Sequence, residues 1–382
     1  MIDFAEVPYW ITIAHLPRWG AEKINRLIIR IVHEQQMNLE TFFHLPESDW
    51  IDKFDLSDND IIDLQNAKAE LPNNSFLAED LISQGFEIIP INTPEYSKTL
   101  KNNLKTKLSP PLLYIKGNRQ IMQEQCIAIV GSRDADDISM RFTDNIAKNA
   151  SQQFKVVVSG FARGIDKQAL DSALKYKGQS IIVLPQGILT FGSGIQKYYK
   201  EITNGDVIVV STFHPKVNWS AGLAMARNPI IYGFADEIYV AQSSDKGGTW
   251  SGVIDGIKKS RIIYVRKPEA GEKNANQILI DKGAKSVNFD GELIDDGTTN
   301  GSLSSIIENS QILKDIETDE FEKVLELISK QSFTPKEILE KLKLDMSEKE
   351  LTKKLKFSSN VECKKIRGKN HFCIKQDGQT LF

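Results

Sequence analysis

Cysteine is scarce in this chain of 382 residues: Cys126, Cys363 and Cys373 are the only three, and no pair has CxxC spacing. That excludes a disulfide framework and a structural zinc site, and it fits a reducing cytosol. Cys363 and Cys373 either face each other across a hairpin or are small buried side chains, the second being the expected state. Long apolar runs are missing, so no membrane-spanning helix is expected. The opening "MIDFAEVPYW" has acidic residues and no basic run, so no signal peptide is read, and a cytoplasmic location is expected. An excess of one charge sign is missing too: the net charge is −3, with 26% charged and 41% hydrophobic residues. A polyanion binder of that composition needs a local basic patch rather than a global field. There is no GxGxxG fingerprint, no acidic residue closing the second strand to hold a ribose, and no HxxxH or HExxH pair. His214, in "STFHPKVNW", has no Cys or Ser nucleophile set beside it by any motif and is read as structural. No cofactor, metal or catalytic set is therefore expected.

What is present is a change of pattern along the chain. Residues 1–75 read as short helices; "WITIAHLPRWGAEKINRLIIRIVHEQ" holds two around a turn at 16–20, with Leu27, Ile28, Ile31 and Val32 at helical spacing. This is the pattern of a SAM or helix-hairpin-helix-like domain, whose PxxG turn either offers backbone amides to a phosphate or is a structural or partner-docking turn. Residues 78–120 add a helix, a strand at 86–91, a short helix and a Pro-led strand. From 125 to 290, "CIAIVGS", "KVVVSG", "SIIVLPQG", "VIVVS", "EIYVAQ" and "IIYVR" alternate with helical stretches. Short strands buried on both faces and separated by helices predict an α/β fold over 78–290, an extended Rossmann-like, doubly wound parallel sheet. Residues 291–315 are polar and Gly/Ser/Asn-rich, as in a linker. Residues 316–382 read as three helices, with Thr334-Pro335 and Ser347 starting the second and third, then a ribbon turning at 368–370: the winged-helix plan. From Met346 onward nine basic residues face four acidic ones, and the wing "KKIRGKNH" either touches phosphates or is a solvated hairpin.

The chemistry-bearing residues fall at strand ends. Gly131, Ser132 and Arg133 close the first core strand, giving a sharp turn, a hydroxyl and a fork of donors matched to phosphate oxygens. Ser159 and Gly160 close the next strand, and "ARGID" begins a helix, so Arg163 and Gly164 sit at a helix start suited to an anion. Asp166 lies in that first turn, placed to cap the helix or to fix Arg163 and Arg133. Arg227 and Asn228 precede an apolar run, and Lys246, Gly247, Gly248 and Thr249 follow the fifth strand. Ligands of open α/β sheets bind outside the carboxyl ends of strands. So many such turns, most with a cation beside them, suit an extended polyphosphate, single-stranded nucleic acid, better than one mononucleotide.

"IAIVGSR", "VVVSGFARGID", "IIVLPQGI", "RNPIIYG" and "NQILIDKGA" together resemble the DprA/Smf family of DNA-processing proteins, and the order of domains agrees along nearly the whole chain. The resemblance implies a non-catalytic binder of single-stranded DNA that self-associates as a homodimer through its Rossmann core. It also implies a partner, a RecA-type recombinase loaded during recombination or uptake of incoming DNA. By motif position, the DNA contacts would involve Gly131, Ser132, Arg133, Ser159, Gly160, Arg163, Arg227 and Asn228. The chain departs from the family pattern at Leu170, usually His; at Pro229, usually Arg; at Thr212, usually Glu; and in "FGSGIQKYY" and "KGGTWSG". The alternative is a nucleotide-binding sensor or nucleotide-cleaving enzyme like the LOG phosphoribohydrolases, whose PGGxGT turn "GGT" resembles. Those need a Glu soon after the Thr, and Trp250 to Ile254 supply none.

Overall fold

The computed structural model of the protein describes residues 3–294, 324–329, 331–342, 348, 351–352, 355, 361–366 and 369–374. The chain divides into two compact units, Met1–Ile294 and Asp295–Phe382.

The first unit begins with six helices: α1 (Val7–Ala14), α2 (Ala21–Ile29), α3 (Leu39–His44), α4 (Glu47–Phe54), α5 (Asp58–Ala69) and α6 (Leu71–Ser83). Local chemistry sets their starts. Asn38 caps α3 by accepting from the Thr41 amide at 2.9 Å, and Ser57 with Asp60 forms a capping box at α5. The Pro17–Gly20 turn faces its own bundle: Arg18 pairs with Asp63 on α5, and Trp19 Nε1 donates to the same carboxylate at 3.0 Å. Asp63 is buried, so the turn's side chains lock two helices together, which favours the structural of its two readings. Trp10, Phe42, Phe43, Trp50 and Phe54 fill the bundle, and their apolar cluster runs on without a break into the sheet. Each such side chain, fully buried, contributes roughly 1.5–3 kcal/mol.

A lead-in follows: β1 (Glu87–Pro90), α7 (Lys98–Leu108) and β2 (Leu112–Lys116). The remaining strands of this unit are β3 (Cys126–Gly131), β4 (Val156–Ser159), β5 (Ser180–Val183), β6 (Val207–Ser211), β7 (Glu237–Gln242), β8 (Ile262–Arg266) and β9 (Lys285–Val287). Between them run α8 (Asp137–Gln152), α9 (Ile165–Lys175), α10 (Gly192–Lys197), α11 (Tyr199–Asn204), α12 (Ala221–Phe234), α13 (Gly247–Lys258) and α14 (Asn276–Asp281). The nine strands form one sheet in the order β1-β2-β6-β5-β4-β3-β7-β8-β9. From β6 to β9 every pairing is parallel; β1 and β2 add an antiparallel edge, with Tyr114 opposite Ser211. The six expected core strands are all present. The short β9 was not among them, because Lys285-Ser286-Val287 is too brief and polar to read as a buried strand. Residues 291–294 continue the fold instead of opening a linker: Leu293 bridges to Val287, and the Ile294 amide donates to Ser286 at 3.0 Å.

In the second unit, Val324, Ile328, Phe333, Ile338, Leu351, Leu355 and Phe372 form a separate core. Thr334 and Glu337 make a reciprocal capping box at the start of α15 (Pro335–Leu342), as the Thr-Pro signal predicts. The strands β10 (Val361–Ile366) and β11 (Lys369–Ile374) pair antiparallel. Ile366 already pairs with Lys369, so the ribbon turns earlier than expected. The register sets Cys363 opposite Phe372 and Cys373 opposite Glu362, not the two cysteines opposite each other, and Cys373 is half-exposed rather than buried. The rest of the linker, Ser347, Gly368 and basic residues such as Lys353 and Lys375 lie outside the described residues.

Candidate functional site

From β3 the sheet grows outward through β4, β5 and β6; the chain then returns to lay β7 on the other side of β3. The β3/β7 boundary is therefore the topological switch point, where the turns leaving neighbouring strands diverge and open a crevice. A cavity of about 390 Å³ lies there. Its walls are Val130, Gly131 and Arg133 at the end of β3, Ala162 and Asp166 entering α9, one face of α12, and Ser244 with Lys246 to Thr249 at the start of α13. Gly131, Arg133, Asp166, Arg227, Asn228, Lys246, Gly247, Gly248 and Thr249 thus converge on one cavity.

Arg227 dominates the closed end. It sits in the middle of α12, not at a helix start, and is only 3% exposed. One guanidinium nitrogen, Nη1, donates to the Val183 carbonyl at 2.7 Å, while the buried Nε has no partner among the described residues. A buried cationic donor without an acceptor is costly, and Arg227 is part of the cavity lining. Burial lowers the pKa of Arg227, opposed by the nearby Asp166 carboxylate. Burial in turn raises the pKa of Asp166 above the usual carboxylate range, against the pull of Arg227, backbone amides at Ala162 and Gly160, and Arg133. Gly160 makes this approach possible. A Cβ there would collide with the Arg227 guanidinium and lie about 2.5 Å from Asp166 Oδ2.

The β4–α9 turn is held by its own groups. Ser159 is fully buried; its hydroxyl donates to the Asp166 carbonyl at 2.6 Å and accepts from the Phe161 amide, so it is committed to the turn. Gly164 takes φ +83°, and a side chain there would strike the carbonyl oxygens of Ser132 and Arg133. That close approach lets the Ile165 amide donate to Ser132 at 3.3 Å, joining the two turns. Phe161 has φ +62°, a strained region for an aromatic residue. Its ring is gripped edge-on by Phe191 and Tyr198, with centroids 5.0 and 5.8 Å away. Both come from the "FGSGIQKYY" segment, so that departure from the family pattern supplies an anchor for the turn.

Arg163 is exposed and pairs with Asp134, not with Asp166 as one expectation had it; the two loops' exposed charges meet each other first. Ser132 Oγ accepts from the Asp134 amide at 3.1 Å. Ser132, Ser159, Gly160, Arg163 and Gly164 do not line the cavity. Lys246 caps the backbone entry to α13, a helix of 12 residues whose first amides face the cavity through Gly247 and Gly248. The Thr249 hydroxyl donates to the Gly131 carbonyl at 3.1 Å, pinning α13 to β3.

Sequence reading missed Tyr232, Ile231, Ala224 and Met225. The signal was available in the helical period: Ala224, Arg227, Asn228, Ile231 and Tyr232 share one face of α12. The Tyr232 phenol is driven upward in pKa by burial and by Asp166, so it stays protonated. Two other departures do not line the cavity. Leu170 is fully buried in the core, and Pro229 lines a neighbouring groove with Asn103 and Leu104.

Comparison with known proteins agrees with this architecture. The family model described as DNA recombination-mediator protein A matches residues 87–296. The chain is 27% identical over 181 residues to the DNA processing protein DprA of Streptococcus pneumoniae, covering 47% of this chain and 64% of that protein. It is 25% identical over 218 residues to DprA of Bacillus subtilis, covering 53% and 69% respectively. The matched region therefore spans just under two thirds of the pneumococcal relative. An X-ray structure of S. pneumoniae DprA shares the fold, with a TM-score of 0.60 and 21% identity over 75% of this chain and 95% of that one. Matched over more than half its length, this chain belongs to the DNA recombination-mediator protein A family.

Proposed function

We propose that this chain binds single-stranded DNA at the β3/β7 cavity as a non-catalytic DNA-processing protein, and that in doing so it helps a RecA-type recombinase onto the strand. The observation that carries the DNA reading is the convergence of Arg133, Arg227 and Lys246 with the start of α13 on one cavity. Charge-assisted donors of this kind are built for phosphate oxygens. The family match and the DNA-processing relatives support the same class of ligand. The cavity's one lining carboxyl group, on Asp166, has the cationic Arg227 close by, which supports a binding role over a catalytic one. Partnership with a recombinase, homodimerisation through the Rossmann core and a cytoplasmic setting belong to this reading.

A nucleotide-cleaving enzyme is the second reading, favoured by the cavity's size, at the low end of the ~300–1,000 Å³ of small-ligand sites. The test is fluorescence anisotropy of labelled oligo-dT with the full chain, alongside an assay for free base released from nucleotides. Saturable binding that Arg133→Ala weakens, with no base released, is the expected result. Base release without oligonucleotide binding overturns it in favour of the enzyme.

A further inference from the structure

We propose that the β3/β7 cavity selects a phosphate monoester, the group carried by a strand terminus or a free nucleotide, over the diester that links residues inside a strand. The inference rests on the phosphate-binding reading above and narrows its ligand. Three observations carry it.

The first is charge. Arg133, Arg227 and Lys246 line the cavity against a single carboxylate, Asp166. The formal surplus is two positive charges, and the α13 N-terminus adds to it. An internal diester brings one negative charge, whereas a terminal monoester carries about −1.5 to −2 at neutral pH. The second is donor number. The Arg227 guanidinium, the Arg133 fork and the N-terminus of α13 at Gly247 and Gly248 come from three separate elements, a set matched to the three terminal oxygens of a monoester. A diester offers only two oxygens outside its chain.

The third is depth. Arg133 and Lys246 are exposed at the rim, while Arg227 is 97% buried, with Asp166 and Tyr232 beside it. A phosphate that reaches the Arg227 side chain must go deeper than the exposed Arg133 and Lys246. A terminal group needs room for one nucleotide behind it; an internal phosphate needs chain leaving on both sides. A cavity of about 390 Å³ suits the first.

The experiment compares labelled oligo-dT of one length with a 5′-phosphate, a 3′-phosphate or neither, together with circular single-stranded DNA, and uses thymidine monophosphate as competitor. A phosphorylated end is expected to bind about tenfold or more tighter than the bare oligonucleotide, the scale of one added charge-assisted contact. Which end gains shows the polarity. Arg227→Gln should bring the ratio toward one; Lys246→Ala, at an exposed position, should reduce it as well, with thermal unfolding of both variants run alongside. Monophosphate binding without any oligonucleotide binding would keep the monoester site and assign it to free nucleotides, sinking the DNA reading alone. Equal affinity for phosphorylated, bare and circular DNA, with no competition by the monophosphate, overturns this proposal and leaves the DNA reading intact. Absence of all binding overturns both.

Discussion

Arg227 on α12 and Asp166 on α9 meet across Gly160, a residue whose missing side chain is the space their charged groups occupy. Arg227 is buried and Asp166 half-buried, and each is pulled back toward its charged form by the other. Removing one partner of such a pair leaves the other stranded in a poorly solvated place.

Arg227→Ala, which also leaves the Val183 carbonyl without its donor, is therefore expected to destabilise the protein by roughly 1–3 kcal/mol near pH 8. The penalty has a pH dependence. Asp166 already has a raised pKa in the folded state, so its folding contribution is favourable below its unfolded value and falls as pH rises through the folded one. Without Arg227 that pKa rises further, so the deficit shrinks at pH 5 and grows toward pH 8. Urea unfolding of both proteins at the two pH values measures it; a pH-independent deficit speaks against the pairing.

Gly160→Ala tests the same contact by volume. The added methyl displaces the guanidinium, and overpacking of this kind costs about 1–3 kcal/mol. Ligand affinity should fall by more than the stability change explains, because the displaced group is the proposed contact. Thermal unfolding and anisotropy on the same preparation separate the two effects.

Phe161→Ala keeps the left-handed backbone but removes the ring held by Phe191 and Tyr198. Loss of a half-buried aromatic, short of the ~3–5 kcal/mol of a fully buried Phe→Ala, should loosen the β4–α9 turn and weaken binding. Hydrogen exchange at residues 160–166 is expected to speed up locally, with α8 unchanged.

A second pH effect lies away from the cavity. His15 ends α1; its Nε2 is 2.8 Å from the Tyr114 hydroxyl, and its ring lies edge-on to His214 with centroids 5.3 Å apart. Although part of the residue reaches solvent, burial first and His214 second push its pKa down to about 3. The unfolded chain binds this proton near pH 6.5 and the folded one does not, so stability falls as pH drops from there toward 3. The slope from this group is up to about 1.4 kcal/mol per pH unit. His15→Gln should flatten the wild-type acid limb by that amount in urea titrations between pH 6.5 and 4.

Much of this was legible in the sequence because the β strands announce themselves. "VVVSG" and "IIYVR" are apolar on both faces, which only a covered parallel sheet requires. The strand-end glycines and cations were legible for the same reason, since their position follows from the strand. What escaped was convergence. Nothing along the chain says that the turns after β3 and β7 are spatial neighbours; that follows from the return of the chain across β3. The same gap moved Arg163 out of the cavity lining and brought Tyr232 in. His15 and His214 are almost two hundred residues apart in the chain, so their pairing had no local signal.

The most direct measurement is the salt dependence of oligo-dT binding by the full chain and three variants. Each phosphate contact contributes a slope of about −0.7 in log affinity against log salt for single strands. Arg133→Ala and Lys246→Ala, which line the cavity, should each reduce the slope by roughly one contact. Arg163→Ala, outside the cavity lining and paired with Asp134, should change it less. A wild-type protein that binds with no salt dependence, or a slope that only Arg163→Ala alters, would contradict the assignment of the phosphate site to this cavity.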